Sequence, residues 1–269
     1  MKKLLVTFFT ILFCLTSSVG YSKGGNYKDT DWNMTFYDNA GFPSDVGDKK
    51  NLRWMEENEN KFLRFSLHNK QVGKSASDDK KRMGAPYWER AELKQVGTFE
   101  KKSTYEINFK FRLIKGFKNN KEYIFQIHGY NTMKCDAPIV MLQFKGKKEK
   151  RLRLFLRQFP SNRKDTVKNL IKDSHWSKYE LSTKSSKRIF PKDIMNKWTT
   201  IKFLIKFDDI NGKLDMFFND EKIEENLSFD TLSCDTPHIK FGIYRAGNNK
   251  KGNVLSVIDF DKFIVNKIK

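Results

Sequence analysis

The chain has 269 residues and carries 52 lysines and arginines against 32 aspartates and glutamates, a net charge of +20. Hydrophobic residues make up 38% of it, which excludes a disordered chain, and 15 glycines with six prolines exclude a collagen-like one. A positive charge this large favours a polyanionic partner: nucleic acid, an acidic membrane surface or an acidic polysaccharide.

The N-terminus has the pattern of a signal peptide. A basic start precedes the apolar run Leu4–Leu15, and Ser18 and Gly20 supply the small residues before a cleavage site. The apolar run is shorter than the roughly 20 residues of a membrane span. The sequence therefore predicts a signal peptide over 1–20 and a secreted or periplasmic domain over 21–269, without stable membrane insertion after cleavage. An uncleaved N-terminal anchor is the alternative.

Export bears on both the partner and the cysteines. A secreted protein of this charge rarely has nucleic acid as its ligand, so an acidic polysaccharide becomes the expected partner. The mature chain would keep Cys135 and Cys234, and an oxidising compartment permits a disulfide between them. Two buried free thiols are the alternative. Neither cysteine has another Cys or a His at the spacing of a zinc site.

Downstream of about Asn60 the hydrophobic pattern has a period of two, which is typical of β-strands. Apolar and polar residues alternate over Tyr105–Leu113 and again over Ile201–Phe207. Asn211-Gly212 predicts a hairpin turn into a strand at Lys213–Phe218. A second turn and the last strand are predicted at Asn219-Asp220 and Val254–Val265.

Many short strands and no long amphipathic helix predict an all-β fold. We expect a single-domain β-jelly roll, a two-sheet sandwich of the concanavalin-like kind, with a concave substrate cleft. Residues 161–186 are dense in Lys, Ser and Asp. They are predicted to form a long surface loop, and such loops in compact domains are usually functional or mobile.

The segment Glu122–His128 predicts a strand with one polar face. Gln126 and His128 lie together on that face, about 7 Å apart along the strand. Tyr123 and Phe125 are expected on the opposite face, in the core. A lone histidine on a strand is more often a surface or hydrogen-bonded residue than a catalyst, so this segment alone assigns no function.

Three other segments add polar faces. His238, Lys240 and Tyr244 share a strand face, and Arg90 and Glu92 share another, where they would also fit a structural ion pair. The third segment has three arginines on one face and leucines on the other: Arg151, Arg153 and Arg157. A sheet face with Arg, Gln, His, Tyr and Lys predicts a trough for an acidic sugar chain, although a solvated charged face is the simpler reading of each segment alone.

Taken in chain order, these segments resemble the motifs of jelly-roll polysaccharide lyases, which include alginate lyases, glucuronan lyases and heparin-lyase-I-like proteins. The three motifs are Arg90-Ala91-Glu92-Leu93, Gln126-Ile127-His128 and Lys240-Phe241-Gly242-Ile243-Tyr244-Arg245. The resemblance extends from about Trp88 to the C-terminus. Three residues depart from the alginate-lyase pattern, which has Ser or Thr, Tyr and Gln at these places: Ala91, His238 and Ala246.

The resemblance implies a lyase that cleaves a uronic-acid-containing acidic polysaccharide by β-elimination. Arg90 and Gln126 would neutralise the substrate carboxylate as negative charge develops on it. His128 would remove the C5 proton and Tyr244 would protonate the leaving O4, or Tyr244 would do both in a syn elimination while His128 orients the substrate. The substrate-binding candidates are Glu92, Lys240, Arg151, Arg153, Arg157 and Arg245.

This mechanism needs no metal and no cofactor, and a structural calcium ion is compatible with the sequence; a monomer is expected. The main alternative is a non-catalytic, lectin-like β-sandwich that binds acidic polysaccharides through aromatic platforms such as Trp88, Trp176 or Trp198. A β-sandwich glycoside hydrolase would need two facing carboxylates, and no E-x-D-x-x-E strand is present. A nucleic-acid binder fits the charge but conflicts with the signal peptide and has no recognised motif.

Overall fold

A computed structural model provides the structure. It describes residues 26–27, 32–38, 51–73, 78–81, 85–115, 117, 122–129, 137–145, 151–158, 175–181, 188–232, 236–247 and 255–269. The predicted signal peptide, Cys135 and Cys234 lie outside the described residues. Within these ranges, no helix has the length and apolar character that a membrane crossing requires.

Fifteen strands form in the described residues, with one short 3-10 helix at Pro191–Asp193. Their bounds are β1 Asn26–Tyr27, β2 Phe36–Asp38, β3 Leu52–Glu57, β4 Asn60–Leu67, β5 Trp88–Gln95, β6 Thr104–Leu113, β7 Tyr123–Gly129, β8 Ala137–Lys145, β9 Arg151–Gln158, β10 His175–Glu180, β11 Thr199–Lys206, β12 Lys213–Phe218, β13 Glu221–Ser228, β14 His238–Ala246 and β15 Ser256–Lys267.

The strands make two antiparallel sheets that pack face to face. The eight-stranded front sheet has the order β1-β2-β5-β14-β7-β8-β9-β10, and the seven-stranded back sheet has the order β13-β12-β11-β6-β15-β4-β3. Strict alternation gives β11 one apolar face, because buried and half-buried residues alternate along its whole length. The predicted all-β, two-sheet jelly-roll sandwich is confirmed.

Both predicted hairpins form, although the whole of 207–212, and not Asn211-Gly212 alone, connects β11 to β12, and part of the predicted loop is wrong. Asn219 and Asp220 both have positive φ angles, 47° and 66°, and form the tight turn between β12 and β13. Within residues 161–186, however, β10 pairs with β9 as the last strand of the front sheet. The half-buried Tyr179 packs against the core and holds this edge strand in place.

Aromatic rings join the two sheets behind the strands that carry the candidate site. Phe125 of β7 stacks on Phe109 of β6 with ring centroids 4.9 Å apart. Phe241 of β14 lies 4.3 Å from Phe263 of β15, which stacks on Phe109 at 4.8 Å. Such pairs contribute about 0.5–1.5 kcal/mol each beyond the burial of their surface. The central strands β7 and β14 are therefore fixed firmly to the back sheet.

Gly242 sits where β14 comes close to β5, and we expect it to be the least replaceable glycine described. It has a φ of 133°, and a Cβ there would collide with the carbonyl oxygen of Ala91 and lie 2.9 Å from Cε1 of Phe65. Gly242→Ala should lower the free energy of unfolding by about 3 kcal/mol, measured by urea denaturation. Gly97→Ala is the matched control, because Gly97 also has a positive φ (92°) but open space around it.

The expected cost of Gly97→Ala is about 1 kcal/mol, from backbone conformation alone. Equal losses in the two variants would contradict the close approach of β14 to β5 as the reason for glycine at position 242.

Candidate active site on the front sheet

The outward face of the front sheet brings together the four predicted catalytic residues. They lie on three adjacent strands, β5, β14 and β7, where Tyr244 pairs with Arg90 and Lys240 pairs with Gln126. His128 lies one step further along β7 on the same face. The side chains of these four residues and of Lys240 are between 3% and 9% exposed. They are therefore shielded from solvent and do not form a freely solvated face.

A chain of hydrogen bonds fixes Arg90 in this group of residues. Its Nε and Nη2 atoms donate to the two carboxylate oxygens of Asp78, each at 2.8 Å, and Nη1 donates to Glu92 at 2.9 Å. Burial opposes the charge of Arg90, but the charges of Glu92 and Asp78 outweigh it and raise the pKa of Arg90. Each terminal nitrogen has a second N–H, so a substrate group can still be bound.

Glu92 connects Arg90 to Gln126. The Nε2 atom of Gln126 donates to the second carboxylate oxygen of Glu92 at 2.6 Å, and Glu92 itself is 2% exposed. A buried carboxylate that already accepts from two side chains orients them, and it would repel a uronate. This position does not fit the predicted contact between Glu92 and the substrate.

Aromatic rings surround Tyr244. Its ring stacks on Trp88 with centroids 4.8 Å apart and an interplanar angle of 27°. Tyr123 lies 5.7 Å away, and the guanidinium carbon of Arg90 lies 4.2 Å from the centre of the Tyr244 ring. A cation at this distance stabilises negative charge on the phenol ring. Tyr244 is thus rigidly placed and can release its proton to a leaving group.

Tyr123 lies on the site side of the sheet, so its predicted position in the core is wrong. The register of β7 against β8 shifts here: Tyr123 pairs with Gln143, whereas Phe125 pairs with Leu142. This bulge puts two consecutive residues, Ile124 and Phe125, into the core and turns Tyr123 outward.

A pair of histidines lies at the end of this group of residues that is opposite Tyr244. His128 and His238 are cross-strand partners whose ring centroids lie 5.7 Å apart. The Nδ1 atom of His128 lies 3.0 Å from the carbonyl oxygen of Gly129, and that of His238 lies 3.1 Å from the carbonyl oxygen of Thr236. Carbonyl oxygens only accept, so both Nδ1 atoms carry the proton and both Nε2 atoms present a lone pair when neutral.

Burial keeps both imidazoles neutral. It lowers the pKa of His128 well below the ordinary value, with further lowering by Lys240 and His238. Burial also lowers the pKa of His238 to about 3, and Lys94 adds to the shift. The sequence predicted no role for His238, although the alternation of β14 places it on the same strand face as Lys240. In the described part of the chain, no three His, Cys, Asp or Glu side chains are grouped as a metal site.

The arginine strand β9 forms one flank of the same face. Its predicted two faces are confirmed: Leu152, Leu154 and Leu156 are buried in the core. β9 is antiparallel to β8, and Arg153 pairs with Gln143. Burial lowers the pKa of Arg157 to about 10. The outward set consists of Arg151, Arg153, Phe155 and Arg157.

Arg245 lies on the opposite side of the sheet from the other candidates. It is fully buried, with Nε donating to Glu89 and Nη1 donating to Ser256 at 2.9 Å and to Glu122 at 3.4 Å. The core position follows from the alternation of β14, which puts Arg245 on the face of Ile243. The predicted binding of substrate by Arg245 does not fit this position.

A family model described as polysaccharide lyase matches residues 45–258. The chain belongs to this family. The matched range contains every predicted site residue, from Arg90 to Arg245. The predicted relationship to the jelly-roll polysaccharide lyases is therefore confirmed.

One solved structure of an alginate lyase has a similar fold, and a second gives a lower TM-score. An alginate lyase from Pseudomonas aeruginosa has a TM-score of 0.51 and 13% sequence identity, over 81% of this chain and 89% of that chain. An alginate lyase from Chlorella virus has a TM-score of 0.45 and 15% identity, over 80% of this chain and 88% of that one. Among curated protein sequences, none matches the chain. The likeness to the Pseudomonas enzyme is one of fold.

Proposed function

We propose that this polysaccharide lyase is a secreted or periplasmic enzyme that cleaves a uronic-acid-containing acidic polysaccharide by β-elimination. The observation that carries the proposal is the gathering of Arg90, Gln126, His128 and Tyr244 on one face of three adjacent strands. A net charge of +20 suits a polyanionic chain. The alginate lyase of similar fold acts on a polyuronate, which supports this substrate class.

Elimination begins at a weakly acidic proton. The C5 proton lies α to a carboxylate, and removing it pushes further negative charge onto that carboxylate. We propose that Gln126 and the second N–H groups of Arg90 donate hydrogen bonds to this carboxylate. The ammonium group of Lys240, which is paired with Gln126, adds a positive charge beside it. Donors fixed before the reaction stabilise the developing charge most effectively. The buried Asp78–Arg90–Glu92 chain supplies that fixation.

The two proton transfers are assigned to His128 and Tyr244. The Nε2 lone pair of neutral His128 takes the C5 proton, and the C5–H electrons form the C4–C5 double bond while the C4–O4 bond breaks. The Tyr244 hydroxyl gives its proton to O4, and the resulting phenolate lies under the guanidinium of Arg90. Solvent then carries the proton from His128 to Tyr244. Further uronates or sulfates along the chain would contact Arg151, Arg153 and Arg157.

The product stoichiometry tests this function against a lectin-like binding module. Each elimination gives one new reducing end and one C4–C5 unsaturated uronate, so the two ends should appear in a one-to-one ratio. Reducing ends without unsaturation would indicate hydrolysis. Salt-sensitive binding without either product would support the lectin-like alternative.

Lys240→Met is expected to move the acid limb of the pH profile of kcat/KM upward. A base must be deprotonated to act, so the lowered pKa of His128 places the wild-type limb below the range of an ordinary histidine. Removing the nearby positive charge makes imidazolium less unfavourable and raises the pKa of His128. Lys240→Arg keeps the charge and is the matched control, with an unshifted limb.

An acid limb that Lys240→Met leaves unchanged would contradict His128 as the base. A profile that instead rises with one alkaline ionisation would indicate that Tyr244 both removes and returns the proton.

A further inference from the structure

A cavity lies on the outward face of the back sheet, on the opposite side of the sandwich from the candidate active site. Its volume is about 350 Å³. Strands β4, β6 and β15 provide its floor, and the residue before β11 provides one wall. The residues that matter for its chemistry are Asn60, Lys110, Arg112, Trp198, Asp261 and Lys262.

The tryptophan wall is held rigidly. The Trp198 ring packs edge-on against Phe62 at 5.4 Å, and the guanidinium carbon of Arg112 lies 4.6 Å from the centre of the Trp198 ring. Arg112 is fixed in turn by Glu57 at 2.7 Å and Asp259 at 2.9 Å. The indole therefore has a set position before any ligand arrives, which reduces the entropy lost on binding.

The polar groups of the cavity are incompletely satisfied. Asp261 is 2% exposed, and its Oδ2 accepts from Asn60 at 3.2 Å, whereas its Oδ1 has no hydrogen-bond partner among the described residues. Lys110 and Lys262 line the same cavity near this carboxylate, and within the described residues neither ammonium is in an ion pair. The Oδ1 atom is itself shielded from solvent, so the groups of this cavity that can meet a ligand are the two ammonium groups, which suit an anion.

We propose that this cavity binds one uronic acid unit of an acidic polysaccharide without cleaving it. The choice of this ligand class rests on the proposed function. The two lysines bind the uronate carboxylate. The apolar C–H face of the sugar packs against Trp198. A polymer long enough to reach both faces is then held at two points, which raises its effective concentration at the cleft.

Two variants test the cavity: Trp198→Ala and the pair Lys110→Ala with Lys262→Ala. The first measurement is mobility in native gels containing alginate, heparin or another polyuronate, with all variants in a His128→Ala background so that nothing is cleaved. We expect retention about tenfold weaker in both variants. The charge-matched control removes two exposed lysines elsewhere, Lys213→Ala with Lys269→Ala, and should bind as the parent protein does.

The second measurement compares cleavage of long polymer with cleavage of a tetrasaccharide in the otherwise native chain. The cavity variants should raise KM for polymer and leave the tetrasaccharide kinetics within twofold of the parent. Unchanged tetrasaccharide kinetics would also show that the variants fold. Trp198→Phe is the milder substitute if Trp198→Ala unfolds. Normal cleavage and parental gel retention in all cavity variants would overturn the cavity proposal alone. If gel retention depends on the cavity residues but the protein cleaves no polymer, the cavity proposal is supported and the proposed lyase function is rejected.

Discussion

Tyr244→Phe is expected to lower kcat/KM by about 10³-fold without changing the thermal unfolding midpoint. The substitution removes only the hydroxyl that protonates O4, and the remaining ring still stacks on Trp88 and under Arg90. The measurement is the initial rate of unsaturated-uronate formation. Tyr179→Phe is the matched control, because that ring packs against the core at the far edge of the front sheet.

His128→Ala should cost a similar factor, since it removes the lone pair that takes the C5 proton. If Tyr244→Phe kept more than a tenth of the parent rate, Tyr244 could not be the acid. If His128→Ala alone were tolerated, both proton transfers would have to be assigned to Tyr244.

Arg245→Leu is expected to lower the free energy of unfolding by about 3–5 kcal/mol. The change leaves Glu89 and Glu122 buried without their shared cation, and burial already raises the pKa of Glu89. Urea denaturation measures the loss. The control is Lys267→Ala, which breaks an exposed ion pair with Glu100 and should change the free energy of unfolding very little.

Activity should fall in Arg245→Leu as well, because two residues of this cluster are next to a site residue in sequence: Glu89 beside Arg90, and Arg245 beside Tyr244. Replacing all three charges together with apolar side chains should recover part of the stability. A loss in Arg245→Leu as small as that in Lys267→Ala would contradict the view that this cluster holds the site strands together.

Alternation within a strand was enough to predict much of the site. Gln126 and His128 on one face of β7, and the arginine and leucine faces of β9, follow from a period of two. The register between strands does not follow from alternation. The pairing of Tyr244 with Arg90 joins strands far apart in the chain, and only the motif resemblance suggested that they meet.

The errors have physical causes that can be named. Tyr123 was assigned to the core because a bulge, which adds one residue to β7, leaves no mark on the hydrophobic pattern. Arg245 lies two residues after Ile243, so alternation placed it on the core face of β14. Its charge, however, favoured a prediction that it binds substrate. The carboxylates that make its burial tolerable, Glu89 and Glu122, lie 156 and 123 residues away and could not be paired with it from sequence.

The most direct test of the central claim is ultraviolet absorbance by C4–C5 unsaturated uronates when the purified protein meets a panel of polyuronates. The panel consists of alginate blocks, glucuronan, heparin, heparan sulfate, hyaluronan and chondroitin. The proposed function predicts a rise with at least one polymer, and its loss in His128→Ala and Tyr244→Phe. A flat trace with every polymer, together with salt-sensitive binding, would contradict a lyase for these polyuronates and favour the lectin-like alternative.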